Sequence, residues 1–467
     1  MDPFTFSVSQ LASSTSAMTP LLILLVAGLA LMLMDAFGVK PVILGWVAGI
    51  GISVSGILAW TMGSAQTNVV FFGMMEAGGI APLVHVFLCI AGLCTLFFLR
   101  DYLGRQKRMV GDVYALLLFA VLGMILMANA ADLMMTFIGL ETMSMCLYIF
   151  ASLYKKDLGS NEAGLKYFLL GSFASAFMLF GISIIYGITG TTNLVLISTP
   201  ESVELMGANQ PLFFVSGGLM LIGFLFKVAA FPFHNWTPDV YEGTPTPLAG
   251  FMATGSKFAA FVSLGMVMSR VGFSAAGNEK LITILSVSAL FTMIYGNIVA
   301  ARQENIKRML AYSSIAHSGY VLLGLCAASI GFKSILFYLF IYTLMNLGAF
   351  GMVGMVEESY ADTAMEKWRG LGQKSPYFAG ALAIFLFSLA GIPPLAGFMA
   401  KYQVFISAIR EDLIFLATIG ILTSVIGAYY YIRLIVLMFF NSKGQVPTFN
   451  LRFSNLPVAG VAILVAL

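Results

Sequence analysis

Four ionisable side chains stand inside long apolar runs: Glu141 in FIGLETMSM, Lys227 in GFLFKVAAFPF, Lys257 in ATGSKFAAF and Lys401 in GIPPLAGFMAKYQVF. Such a group in hydrocarbon costs about 2.5–3.5 kcal/mol on insertion scales, so it is functional by default and usually paired. Glu141 is the only one of the 21 acids set deep in such a run, and one carboxylate cannot neutralise three lysines. Desolvation disfavours an ammonium ion, and a lysine so placed can exchange a proton near neutral pH, as a proton relay requires. His234 and His317 (AYSSIAHSGY) add groups that donate, accept and titrate near pH 6.5, which suits a polar link between lysines. The plainer reading of each is a hydrogen-bonded packing histidine. Tyr312, Ser313, Ser314 and Ser318 could line a hydrated path, although small polar residues also serve helix packing. Lys166 lies about one turn inside its run and Arg433 near a run's end, where snorkelling to water is the alternative. His85, without polar company in sequence, reads as structural.

These residues need elements that hold them away from water, and the composition supplies them. The 467 residues are 60% hydrophobic and only 10% charged, with a mean hydropathy of +0.94. A soluble domain is about 45–50% apolar and 25% charged. A soluble enzyme, a nucleic-acid binder and a disordered chain are excluded, and the net charge of +3 is too small to imply an anionic partner. The apolar runs are too long for barrel strands and have the length of membrane helices, about 20 residues. Fourteen candidates are read at about 18–36, 42–62, 82–100, 113–128, 133–154, 163–189, 211–232, 247–269, 281–301, 309–330, 334–356, 376–409, 413–440 and 455–467. The fold class is an all-α integral membrane protein. The four cysteines lie in apolar runs without CxxC spacing and read as buried thiols. No phosphate loop, haem ligand set or iron–sulfur cysteine run is seen, so no redox cofactor is expected in this chain. The start of the chain, without Lys or Arg before its first apolar run, does not read as a cleaved signal peptide.

With the N-terminus outside, inner loops carry fifteen Lys and Arg, against four (Arg270, Lys280, Lys333, Arg410) on outer loops. That bias supports the orientation, and an even span count puts the C-terminus outside as well. Pro232 interrupts span 7 five residues after Lys227, and Pro393-Pro394 interrupts span 12 ahead of Lys401. Unwound backbone at membrane depth persists only where protein or a water-filled cavity satisfies it. Breaks five spans apart predict two inverted five-helix repeats, spans 4–8 and 9–13, with the transport site between them. The expected parts are N-terminal helices in 1–110, a first repeat in 111–270, a second in 279–440, and the start of a last helix in 441–467.

At FPFHNWTPDVYEGTPTP (231–247) the chain resembles the antiporter-like membrane subunits of complex I, the proton-pumping NADH:quinone oxidoreductase, and among them subunit N of the bacterial complex. NIKRMLAYSSIAHSGY (305–320), SLAGIPPLAGFMAKYQVF (388–405) and the FIGLE stretch carry the resemblance over nearly the whole chain. Multi-subunit Na+/H+ antiporters and the other two antiporter-like subunits read closer to WLPDA where this chain has WTPDV. The resemblance implies fourteen helices, the two inverted repeats and a midplane line of protonatable residues. By motif it makes Glu141 the span 5 glutamate that pairs with Lys227, Lys257 the span 8 lysine and Lys401 the span 12 lysine. It sets His234, His317, Tyr312 and Lys166 in matching motifs. It also implies partners, the other membrane subunits of complex I including two more antiporter-like ones. NADH, FMN, iron–sulfur clusters and quinone would sit in other subunits, and the location would be the bacterial inner membrane. The alternatives are a subunit of a Na+/H+ antiporter, a membrane subunit of an energy-converting hydrogenase, and a scaffold that no longer pumps.

Overall fold

The computed structural model describes residues 8–105, 111–271, 279–360 and 363–440. The first part is α1 (Val8–Ala36), α2 (Pro41–Met62), a hairpin of β1 (Asn68–Val70) and β2 (Met75–Ala77), α3 (Ala81–Arg105), α4 (Asp112–Ala128), α5 (Leu133–Ala151) and α6 (Leu158–Thr189). Next come the short α7 (Leu194–Ile197) and α8 (Pro200–Ala208), then α9 (Gln210–Lys227), α10 (Trp236–Gly243) and α11 (Thr246–Val271). The remainder is α12 (Glu279–Ala301), α13 (Ile306–Cys326), α14 (Ala328–Tyr360), α15 (Leu371–Lys374), α16 (Pro376–Ala390), α17 (Ala396–Arg410) and α18 (Ile414–Phe440).

Among the described residues, eleven helices are long and apolar enough to cross a bilayer, and α4 and α16 are shorter apolar helices. The expected span at 376–409 is α16 and α17 with a break between them, and the one at 455–467 lies outside the described residues.

Burial divides the helices into centre and rim. In α11, α13 and α14, 94% of the apolar window is buried, against 28% in α1 and 39% in α6, α12 and α18. A helix that is apolar all round and still half exposed belongs in hydrocarbon. The rim helices present Phe173, Phe180, Phe291 and Val425 outward. Between α4 and α5 the backbones touch: a Cβ on Gly123 would lie 2.4 Å from the Met143 nitrogen, and one on Gly139 2.4 Å from the Met127 nitrogen. Small residues allow this approach where lipid supplies no hydrophobic drive between helices.

The connections fall into two groups. The hairpin meets the α4–α5 turn through Glu76 N–H to Asn129 O (2.8 Å), and that turn meets the segment before α7 through Leu133 N–H to Thr192 O (2.9 Å). Arg270, at the end of α11, pairs with Glu76 at 3.3 Å in the same group. The other group joins Ile306 N–H to Thr363 O (3.0 Å) and Met365 N–H to Glu304 O (2.8 Å). Connections after alternate spans therefore meet one another, as antiparallel crossings require.

Candidate functional site

The first break starts earlier than Pro232: α9 ends at Lys227 itself, and Ala229 takes a positive φ of 58°. Proline disfavours helical backbone in the residue before it, which here is Phe231, so the helix has already ended upstream. Three of the freed carbonyls take side-chain donors. The Trp236 indole N–H gives to Phe226 O (3.1 Å), Ser318 Oγ to Val228 O (2.7 Å) and Ser288 Oγ to Phe231 O (2.6 Å). In the second break, Gly391 ends α16 with φ 83°, and the Lys401 ammonium, reaching back from α17, gives to Leu389 O (2.9 Å) and Ala390 O (3.0 Å). Buried backbone must be paired in a medium without water, so Lys401 is part of what holds its break open.

All three central lysines are buried, and among the described residues none is in salt-bridge contact with an acid. Lys227 Nζ donates to Ser144 Oγ (2.9 Å) and Tyr167 OH (3.1 Å), and lies 5.3 Å from the Tyr167 ring centroid. Lys257 Nζ donates to Ser314 O and Ser318 Oγ, both at 2.9 Å. Because Ser318 also reaches Val228 O, one hydroxyl links Lys257 to the residue that follows Lys227. Lys401 Nζ completes its set with Ser424 Oγ (2.9 Å) and stands 5.4 Å from the Tyr320 ring centroid.

His317 lies between the last two lysines. Its Nδ1 pairs with Tyr338 OH (2.6 Å) and its Nε2 with Tyr431 OH (3.4 Å), which also bonds Ser313. The His317 ring is 5.6 Å from that of Tyr320, the ring under Lys401. Asn297 binds Tyr320 OH (2.9 Å) and accepts from Tyr430 OH (3.3 Å). A line of buried lysine, serine, histidine and tyrosine groups thus runs from Lys227 to Lys401.

The other candidates sit differently. Glu141 is one turn before Ser144 on α5, yet it makes no ion pair with Lys227, and its Oε1 is buried without a hydrogen-bond partner. His234 makes no bond to any lysine; both ring nitrogens are buried and unpartnered, and its ring lies 4.5 Å from Tyr295. Tyr312 joins that same aromatic cluster, 6.3 Å from Tyr295, to the side of the lysine line. Lys166 is half-exposed and paired with Glu162 (2.5 Å) and Asp239 (2.8 Å). Arg308 completes this cluster through Asp239 (2.9 Å) and Glu242 (2.6 Å). Burial raises the Asp239 carboxyl, but the hydrogen bonds from Lys166 and Arg308 outweigh it and hold the group below its ordinary range. His85 does have polar company, Ser55 Oγ at 2.8 Å from Nε2, and Ser55 in turn bonds Pro20 O.

Sequence reasoning missed Lys307 and Glu357. Lys307 counts among the loop cations, yet it is buried at the start of α13, giving to Thr244 O (2.9 Å) and pairing with Glu357 Oε1 (3.1 Å). Tyr102 OH (3.2 Å) and the Thr246 hydroxyl also reach Glu357, tying α3, α11, α13 and α14 together. The available signal was the Asn305 cap, which starts the helix before Lys307 and so makes the lysine helical and not part of a loop; the face it takes was not legible. Ser144, Tyr167 and Ser424 also escaped notice, because a serine or tyrosine in an apolar helix looks the same whether it packs or binds an ammonium ion.

Residues 130–427 match the family described as NADH:quinone oxidoreductase/Mrp antiporter, transmembrane. The chain is 44% identical over 428 residues to NADH-quinone oxidoreductase subunit N of Trichlorobacter lovleyi, covering 90% of this chain and 86% of the relative. It is 40% identical over 440 residues to the subunit N of Salinibacter ruber, covering 93% and 87%. A chain in respiratory complex I from Thermus thermophilus with bound aureothin superposes with a TM-score of 0.80 at 32% identity over 96% of both chains. A chain of the Mrp complex from Dietzia shares the fold alone, with a TM-score of 0.84 at 18% identity over 97% and 94%. The chain belongs to the NADH:quinone oxidoreductase/Mrp antiporter transmembrane family, and within it to the NADH-quinone oxidoreductase N subunits.

Proposed function

We propose that this chain is a proton-translocating, antiporter-like membrane subunit of a respiratory NADH:quinone oxidoreductase, with Lys227, Lys257, His317 and Lys401 as the proton-carrying groups. The observation that carries the reading is the set of three buried lysines held only by hydroxyls and carbonyls. A static cation in a low-dielectric interior is paired with an anion; one that loads and unloads a proton needs neutral partners that tolerate both states. Protons enter from the inner side near α10 and α11, pass Lys227, Lys257 and His317, and leave outward past Lys401. Glu141 acts as the switch: charged and close to Lys227 it favours the ammonium, and when the two separate it releases the lysine to its neutral partners.

Two inverted repeats fit the local devices. Asp132 caps α5 and Asn305 caps α13, each accepting from two backbone N–H groups. Gly123 and Gly139 let α4 meet α5, as Gly296 and Gly319 let α12 meet α13. Each proposed repeat contains one broken helix with a lysine at the break. The full complement is fourteen spans, in parts 1–110, 111–270, 279–440 and 441–467, multi-pass in the bacterial inner membrane with the N-terminus outside. NADH, FMN, iron–sulfur clusters and quinone belong to partner subunits, which include the other antiporter-like chains. Affinity purification through a tag on this chain tests the assignment: NADH:quinone oxidoreductase activity should co-purify. Recovery with Na+/H+ antiporter or hydrogenase subunits instead would overturn it.

A further inference from the structure

A groove of about 1190 Å³ opens where α1, α4 and α5 meet the start of α6. Its wall is apolar, formed by Met32, Leu116, Phe119, Ile149 and Leu153. Its rim is charged, with Lys155 and Lys156 beside Asp112 and Asp157. None of these residues belongs to the lysine line. Met32 is 50% exposed and Ile149 46%, so apolar surface is left open along two membrane-crossing helices. From Asp112 down to Phe119 is two turns of α4, about 10 Å of depth. Polarity therefore changes along the groove from charged at the end of the helices to apolar below, the order found in an amphiphile lying parallel to the spans. The volume also exceeds the roughly 300–1,000 Å³ of small-molecule pockets.

The rim charges choose the head group. Neither lysine is ion-paired to a described residue. Asp157 spends Oδ1 on capping α6, accepting from Gly159 N–H at 2.8 Å, and among the described residues its second oxygen has no partner. Among the described residues the rim sets two cations against three carboxylates, since Asp112 is hydrogen-bonded to Asp35, and a head group that carries both signs matches that mixture better than a purely anionic one. We propose that this groove binds a zwitterionic glycerophospholipid, its phosphodiester on Lys155 and Lys156, its ammonium on Asp112 and Asp157, and an acyl chain along the wall. The bound lipid covers the end of α5, the helix that carries Glu141. The proposal rests on the membrane-spanning reading and not on the relay, so either can fail alone.

The test uses the purified complex in nanodiscs containing phosphatidylethanolamine with a photoactivatable acyl chain, followed by peptide mapping. Adducts are expected on Leu116–Phe119 and Ile149–Leu153. They should fall about tenfold or more in Lys155→Ala/Lys156→Ala and return in Lys155→Arg/Lys156→Arg, since each cation at a membrane surface contributes on the order of 1 kcal/mol to phosphate binding. A phosphatidylglycerol probe should label these peptides several-fold less. Labelling around Phe291, exposed on α12, serves as the control for intact insertion and should not change. Equal labelling by the two lipids, unchanged labelling in the alanine pair, or cross-links from the wall to a neighbouring subunit in place of lipid would each overturn the proposal.

Discussion

Replacing Lys401 separates a proton carrier from a structural cation. Its ammonium serves two carbonyls at the end of α16 and one hydroxyl on α18. Lys401→Met removes the donor, and each buried acceptor left unpaired costs about 1–3 kcal/mol, or roughly 2–6 kcal/mol for the two carbonyls if no water replaces it. Lys401→Arg keeps the charge and donors, but guanidinium does not give up its proton at any working pH. The larger head must also fit where the lysine stem lies 3.0 Å from the space a Gly391 Cβ would fill. If Lys401 carries protons, both variants lose NADH-driven pumping, by about 100-fold or more in the transfer step. If it only holds the break, arginine should work and methionine should fail. The assay is proton uptake by inverted membrane vesicles, scaled to the amount of assembled complex and to NADH oxidised. Near-normal pumping by Lys401→Arg would refute the relay role.

Glu141→Ala should lower pumping far more than assembly, because its Oε1 makes no bond that the fold depends on; wild-type pumping by assembled complex would remove the switch. A cysteine at Glu201, on exposed α8, should react with an impermeant reagent in intact cells, and one at Lys156 only after the membrane is opened. The reverse pattern would invert the orientation. Asp239→Asn should lower stability by about 1 kcal/mol, since Asp239 itself is 36% exposed and its partners Lys166 and Arg308 are partly exposed too. The folded carboxyl lies below its ordinary range. Its contribution is therefore full above the usual carboxylate pKa and lost as pH falls through the lowered value. Thermal unfolding of the Asn variant against the parent, from neutral to acid pH, checks both points, and a gap that widens on acidification would contradict them.

Helix positions were legible because a bilayer demands one thing of a crossing segment, a sustained apolar run. The reading of 42–62 became Pro41–Met62, and 413–440 became Ile414–Phe440. Residues that break the run stood out for the same reason, hence Glu141 and the three lysines. What the sequence hid was rotation: periodicity does not say which neighbour a side chain faces. Lys227 meets Ser144 and Tyr167 in preference to Glu141, and His234 turns to Tyr295. Charges at run ends were ambiguous too, since the same lysine reads as snorkelling or buried; Lys166 does the first and Lys307 the second. The β1–β2 hairpin, three residues per strand, is too short for any alternation to register.

The most direct measurement of the central claim is the number of protons translocated per NADH oxidised by complex carrying Lys257→Met. Lys257 lies on the most buried group of helices and bonds only Ser314 O and Ser318 Oγ. Methionine fills its volume and carries no proton. The account predicts an assembled complex that still oxidises NADH but moves fewer protons per NADH than the parent. An unchanged ratio in fully assembled complex would show that protons do not travel through this chain.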